Sequence, residues 1–157
     1  MNYDVWVREG LMFTTPGNAI DHKYIEIKIR ELAEEYNIIA IEYDRWSAYD
    51  IVTRLLDDGF PMGEFGQGYQ SMSAPTKELE KLAITGELRH GGNPVLRWMC
   101  SNVALAEDPA GSIKINRGKC KEKVDGMVAL VMAIGGAMTE EPAPRSRYED
   151  NPELDVV

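Results

Sequence analysis

Two aspartates stand in this sequence where a carboxylate could hold something. Asp125 lies in Lys121-Glu122-Lys123-Val124-Asp125-Gly126-Met127-Val128-Ala129-Leu130, where a lysine-rich loop passes into a long apolar helix. Asp44 ends the run Ile38-Ile39-Ala40-Ile41-Glu42-Tyr43-Asp44 and leads into Arg45-Trp46. A carboxylate at the carboxyl end of a strand and another at the start of a helix can converge on one divalent cation. Magnesium takes oxygen ligands, usually one or two carboxylates with waters and phosphate oxygens completing its shell. Cationic side chains beside such a pair suit a phosphate-bearing substrate, so these residue types point to metal-assisted cleavage of nucleic acid.

Each acid also has a plainer reading. Asp44 could simply begin the turn before the next helix, since aspartate is a common turn residue; from position alone the two readings stand level. For Asp125 taken alone, the balance favours a helix cap stabilised by free backbone N–H groups and the helix dipole. Lys121 and Lys123 could be a solvated loop. A two-metal site wants a third acid, and Asp4, Asp21, Glu42, Asp50 and Glu64 are available without any one standing out.

Other chemistries fit less well. Gly111 to Lys119 contains a Gly-Lys pair, but the glycine spacing is wrong and Cys120 stands where a phosphate loop needs Ser or Thr. There is no Gly-x-Ser-x-Gly nucleophile motif. His22 and His90 are the only histidines, too few for a usual zinc set. Cys120 has basic neighbours but no evident base, and Trp46 and Trp98 read as core anchors. The two cysteines, Cys100 and Cys120, form neither a zinc pattern nor a disulfide framework, which suits a reducing cytosol.

The net charge of −9 argues against sequence-blind coating of DNA. Its distribution permits one focused contact: residues 139–157 carry −4, whereas Lys114 to Lys123 holds five basic residues against one acid. At 157 residues the chain is most economically one domain, with 44% hydrophobic residues to fill a core. No apolar run reaches a membrane span, and the first residues lack the pattern of a secretory signal.

The elements that must position the acids read as follows. Tyr3–Arg8 and Leu11–Thr15 look like short extended stretches around Glu9-Gly10. Asp21 can cap a helix whose apolar residues Ile25, Ile29, Leu32, Ala33 and Tyr36 recur at helical spacing. The β-branched run 38–41 predicts a strand buried on both faces. Ser47 to Asp50 resembles a capping box, opening a helix through Leu56 that Asp58-Gly59 stops. A weak strand, Phe60–Phe65, is placed near a sheet edge by Pro61 and Gly63. Residues 66–73 read as a loop feeding a helix from Pro75, with Leu79, Leu82 and Ala83 facing inward and Gly86 at its end.

Asn93-Pro94 opens another helix carrying Val95, Leu96, Trp98, Met99 and Val103. Asp108 to Gly111 is a turn before a short stretch, Ser112–Ile115. The last helix runs from Asp125 to about Ala137, closed by Gly135-Gly136. Strands alternating with helices predict an α/β domain with parallel pairing over residues 1–138. The remainder, 139–157, is charged, proline-bearing and poor in apolar residues, as in disordered tails.

Five blocks together resemble the tailed-phage terminase large subunits: Ile41-Glu42-Tyr43-Asp44-Arg45-Trp46, Phe65-Gly66-Gln67-Gly68, Met72 to Glu80, Arg89 to Trp98, and Lys123 to Leu130. They occur in the family's order and cover about residues 3–138. The resemblance implies the carboxyl-terminal nuclease of that family, of ribonuclease H-like fold, a mixed central sheet flanked by helices. Such nucleases cut concatemeric double-stranded viral DNA during packaging in the bacterial cytoplasm, using magnesium or manganese, alongside portal and small terminase subunit.

By the same resemblance Asp44 and Asp125 are metal ligands and catalytic acids. Lys121 and Lys123, with Arg45, contact the DNA backbone. The family's first strand, which carries a third acid, and its ATPase motor have no counterpart in the 157 residues. The expectation is therefore an impaired nuclease, with a catalytically inactive module binding DNA or packaging proteins as the alternative.

Overall fold

A computed structural model of the chain describes residues 3–17, 21–45 and 49–139. Trp46 and the Ser47 cap, and the tail beyond Thr139, lie outside these residues. The elements that carry the site are two parallel strands, β1 (Ile41–Tyr43) and β2 (Met62–Glu64), joined through the helix Tyr49–Asp57. Ile41 pairs with Met62, Glu42 with Gly63 and Tyr43 with Glu64. Backbone bonds from Ile41 N to the Pro61 carbonyl (2.8 Å) and from Phe65 N to the Tyr43 carbonyl (2.9 Å) extend this ladder at both ends. Parallel pairing through a helical crossover is what the alternation of elements predicted.

The strand begins at Ile41 instead of Ile38, and it is not buried on both faces: Ile39 is 60% exposed. Among the described residues β1 pairs with β2 alone, so its other edge is open. A β-branched run signals extended backbone, but how far it is buried depends on what lies against it. A second pair, β3 (Leu105–Glu107) and β4 (Ile113–Ile115), forms an antiparallel hairpin. Its turn is the one expected at 108–111. The Asp108 carboxylate accepts from Ala110 N (2.9 Å) and Ser112 N (2.8 Å), and Gly111 takes a φ of 77°.

The helices are α1 (Tyr3–Arg8), α2 (His22–Glu35), α3 (Tyr49–Asp57), α4 (Tyr69–Ile84), α5 (Pro94–Ser101) and α6 (Asp125–Thr139). Residues 3–8 are thus helical, not extended. Tyr3 and Trp6, three residues apart, share one helical face, and both meet Trp98 of α5 edge-on or tilted at 5.9 and 5.3 Å between ring centroids. That tertiary contact decides a segment whose local alternation favoured a strand.

On α2 the Asp21 cap is present, accepting from Lys23 N at 3.0 Å, but the expected apolar face is not packed. Ile25, Leu32 and Tyr36 are exposed, and only Ile29 reaches the α3 cluster of Ile51, Val52 and Leu55. Glu26, 6% exposed, makes the join instead. Its carboxylate accepts from Arg54 Nε of α3 at 2.8 Å and lies 3.5 Å from Arg30.

α6 is the centre of the larger core. Val128 and Val131 are buried, packed with Met72 and Leu79 of α4, and each such side chain contributes about 1.5–3 kcal/mol of hydrophobic stabilisation. α4 begins at Tyr69, so Pro75 sits inside the helix instead of opening it. A proline there forfeits one helical hydrogen bond, a cost of about 3 kcal/mol. Its buried ring packs toward Gly135, which offsets that loss. Leu79 faces inward as expected, whereas Ala83 is exposed.

α5 follows expectation at its start: Asn93 Oδ1 accepts from Val95 N (2.9 Å) and Leu96 N (3.1 Å), with Pro94 in the first turn. It ends at Ser101, leaving Val103 outside. α6 passes through Gly135-Gly136 to Thr139 instead of closing there. The two glycines act as contact points. A Cβ on Gly135 would meet Phe65 Cε2 at 2.4 Å, and one on Gly136 would meet Glu42 Oε1 at 2.8 Å.

Candidate active site

β1 packs on α6, and that packing brings the two acids to one place. Asp44 immediately follows β1 and Asp125 is the first residue of α6. Both line a single groove of about 350 Å³ between the open edge of β1 and α6. Its floor is Val128, Ala129, Met132 and Ala133; Glu42, Tyr43 and Arg117 complete the wall. The acidic residues that line it are Glu42, Asp44 and Asp125, and neither histidine lines the groove.

The capping explanation of Asp125 does not hold. The first turn of α6 is closed by the Val124 carbonyl, which accepts from Met127 N (2.9 Å) and Val128 N (3.1 Å). The exposed Asp125 side chain takes no hydrogen bond among the described residues. A carboxylate beside free helical N–H groups retains the favourable dipole interaction while its oxygens remain available.

Lys121 and Lys123 line an adjoining depression of about 370 Å³ that also includes Arg117 and Asp125. They stand on the Asp125 side of the site. Arg45 lies elsewhere: its guanidinium is 3.5 Å from Glu64 at the end of β2, with both side chains more than half exposed. Among the other acids considered, Asp21 caps α2, Glu64 faces Arg45, and only Glu42 reaches the main groove. Glu42 is wedged against Gly63 and Gly136. Among the described residues no group of three Asp, Glu, His or Cys side chains is disposed to hold one metal ion.

Sequence reasoning overlooked Arg117. It stands in the basic stretch 114–123, but nothing in the local sequence separates it from the neighbouring lysines; its place in the groove with both acids appears only when β4 is laid against α4 and Ile115 joins the core around α6. Cys120 has a structural role. Its thiol donates to the Asn116 carbonyl at 3.2 Å and accepts from Ala104 N at 3.4 Å, tying the loop to the hairpin. His90 lines none of the grooves around the acids.

Fold and groove together define an α/β domain with acids at a strand end and a helix start. Comparison with known proteins gives that class a family. Residues 1–141 match the family model for the terminase large subunit, endonuclease domain. The terminase large subunit of Enterobacteria phage HK97 is 35% identical over 150 residues, which cover 94% of this chain and 30% of the relative. Protein YmfN of Escherichia coli K12 is 30% identical over 141 residues, covering 88% of this chain and 31% of YmfN. The crystal structure of the HK97 large terminase superposes with a TM-score of 0.79 at 36% identity, over 86% of this chain and 29% of that one.

The fold is the ribonuclease H-like one of the terminase nuclease domain. The chain belongs to the terminase large subunit endonuclease-domain family, and it spans under a third of the length of these relatives.

Proposed function

We propose that this chain is a metal-dependent endonuclease domain of a genome-packaging terminase, cutting concatemeric double-stranded DNA. The observation that carries the reading is the shared groove: Asp44 and Asp125, far apart in the chain, line one space of about 350 Å³. An all-oxygen donor pair fits magnesium or manganese better than zinc, which favours nitrogen and sulfur ligands. Asp44 and Asp125 would hold the ion. When bound, such an ion lowers the pKa of an attacking water and neutralises charge on the phosphate oxygens.

The protein's own residues contribute position and charge. Lys121 and Lys123 neutralise the DNA backbone on the Asp125 side, and Arg45 adds a contact beyond Asp44 once it leaves Glu64. The partners implied are double-stranded DNA, portal and small terminase subunit, in the cytoplasm of a bacterial host. Among the described residues no helix is long and apolar enough to cross a membrane.

One observation favours a second reading, a non-catalytic module that binds DNA or packaging proteins: no third acid joins the pair among the described residues. Plasmid relaxation in manganese separates the two. The nuclease reading expects slow nicking of supercoiled DNA that Asp44→Ala abolishes. Absence of nicking, with no manganese binding by the chain, supports the module.

A further inference from the structure

We propose that Arg117 is the residue that grips the DNA phosphate at the acid pair, through its guanidinium and the phosphate's non-bridging oxygens. The proposal rests on the nuclease reading above for the place of the phosphate, but it concerns a side chain to which that reading gives no part. Among the described residues Arg117 alone lines three adjoining hollows. It shares the main groove with Asp44 and Asp125, a second of about 260 Å³ with Asp44, Gln67 and Lys114, and a third with Lys121, Lys123 and Asp125. It therefore stands where the acidic and basic halves of the surface meet.

Its backbone is held firmly while its head is left available. Asn116 N donates to the Ala104 carbonyl (2.8 Å), and the Asn116 carbonyl accepts from Lys119 N (2.9 Å) and Cys120 N (3.2 Å). These bonds anchor the turn carrying Arg117 to the β3–β4 hairpin, whose Ile115 is buried. The exposed guanidinium makes no hydrogen bond or ion pair among the described residues, even with the two aspartates whose groove it shares. A structural arginine would be paired with one of them.

The neighbouring cations are differently employed. Lys114 Nζ donates to the Gln67 carbonyl at 3.2 Å and lies 4.9 Å from the Tyr69 ring centroid. Lys121 and Lys123 line only the outer hollow. A guanidinium presents a planar fork that matches two phosphate oxygens, whereas an ammonium acts as a point charge. Arginine at the junction and lysines on the approach suit a substrate drawn in by charge and then oriented by geometry.

The test uses the full chain and a fluorescent twenty-base-pair duplex, with anisotropy read across a salt series in metal-free buffer. Arg117→Ala is expected to weaken binding about tenfold or more, the loss of a charge-assisted contact. It should also flatten the log–log salt dependence by about 0.9, the release of roughly one counterion. Arg117→Lys should restore the salt slope without restoring the affinity. Arg89→Ala removes the same charge outside the three hollows and should change affinity less than about twofold, the remnant expected of screened charge.

Unchanged affinity and slope in Arg117→Ala, an equal loss in Arg89→Ala, or no duplex binding by the wild-type chain would each overturn the proposal. Manganese calorimetry on the same proteins keeps it distinct from the site reading. Manganese binding with no effect of Arg117→Ala on the duplex sinks this proposal alone. An Arg117 effect without manganese binding sinks the metal site and leaves the phosphate contact standing.

Discussion

Replacing Gly135 by alanine sets two effects of known sign against each other. Alanine in a helix interior is favoured over glycine by about 1 kcal/mol, so propensity alone makes Gly135→Ala stabilising. The packing argues the reverse. The new methyl would stand 2.4 Å from Phe65 Cε2, 2.6 Å from Phe65 Cζ and 3.4 Å from Pro75 Cγ. The first two contacts are with a ring and the third with a proline in α4, and neither can swing aside as a flexible chain end can. Overpacking of this kind costs about 1–3 kcal/mol; with a ring and a proline that cannot yield, about 2–3 kcal/mol applies here, so after the propensity gain a net loss of about 1–2 kcal/mol is expected.

For a domain of this size each kcal/mol moves Tm by about 2–4 °C, so thermal unfolding should show a fall of about 2–8 °C. Phe65→Leu in the Gly135→Ala background should return part of it. A rise in Tm in Gly135→Ala would show that Phe65 does not lie against α6, and the placement of the segment that follows β2 against that helix would be wrong. Gly126→Ala is the control: its methyl would meet Met99 Sδ at 2.8 Å, a flexible thioether that can yield, so its change should stay within about 1 kcal/mol.

Three further outcomes are expected. Asn93→Ala removes the acceptor for two N–H groups at the start of α5 and should cost about 1 kcal/mol in urea unfolding, with Asn93→Asp or Asn93→Ser recovering most of it. The Glu26 carboxyl is held below its ordinary value of 4.5 chiefly by the hydrogen bonds from Arg54, against the opposing effect of burial. A depressed native pKa contributes stability that is full above 4.5 and lost as pH falls through the native value. Wild type should therefore exceed Glu26→Gln in stability at neutral pH, with the gap closing on acidification below 4.5; a gap that widens there would contradict the ion pair. Asp108 is likewise lowered, first by the Ser112 N–H, so Asp108→Asn should remove a part of the acid-side slope that belongs to the β3–β4 turn.

What could be read from the sequence was whatever is encoded locally or by place in an α/β order. Asp44 follows an apolar run and so had to emerge at a strand's carboxyl end, and Asp125 marks a change from loop chemistry to helix chemistry. The Asn93-Pro94 start and the Asp108–Gly111 turn are legible because one side chain supplies the whole device. The misreadings all involve partners distant in the chain. Tyr3 to Arg8 is helical because Trp98 receives its aromatic face. Pro75 is tolerated within α4, and Gly135-Gly136 within α6, because Gly135 meets Pro75 and Phe65 across the core and Gly136 meets Glu42 of β1.

The strand at 105–107 went unread because it has little apolar pattern and draws its definition from β4. The apolar period of α2 was real but did not specify burial: the helix is joined to α3 through Glu26 and Arg54 instead. Arg117 belongs to the same class. Five basic residues within 114–123 announce a cationic surface, but only the docking of the hairpin on the helices selects the one that stands beside both acids.

Manganese titration by calorimetry, on the wild-type chain and on Asp44→Asn and Asp125→Asn, bears most directly on the acid pair. A shared site requires wild-type binding that each substitution alone reduces at least tenfold, because removing either carboxylate dismantles the same coordination shell. Binding that survives both substitutions, or that responds to one and ignores the other, would mean the two aspartates do not serve a common ion.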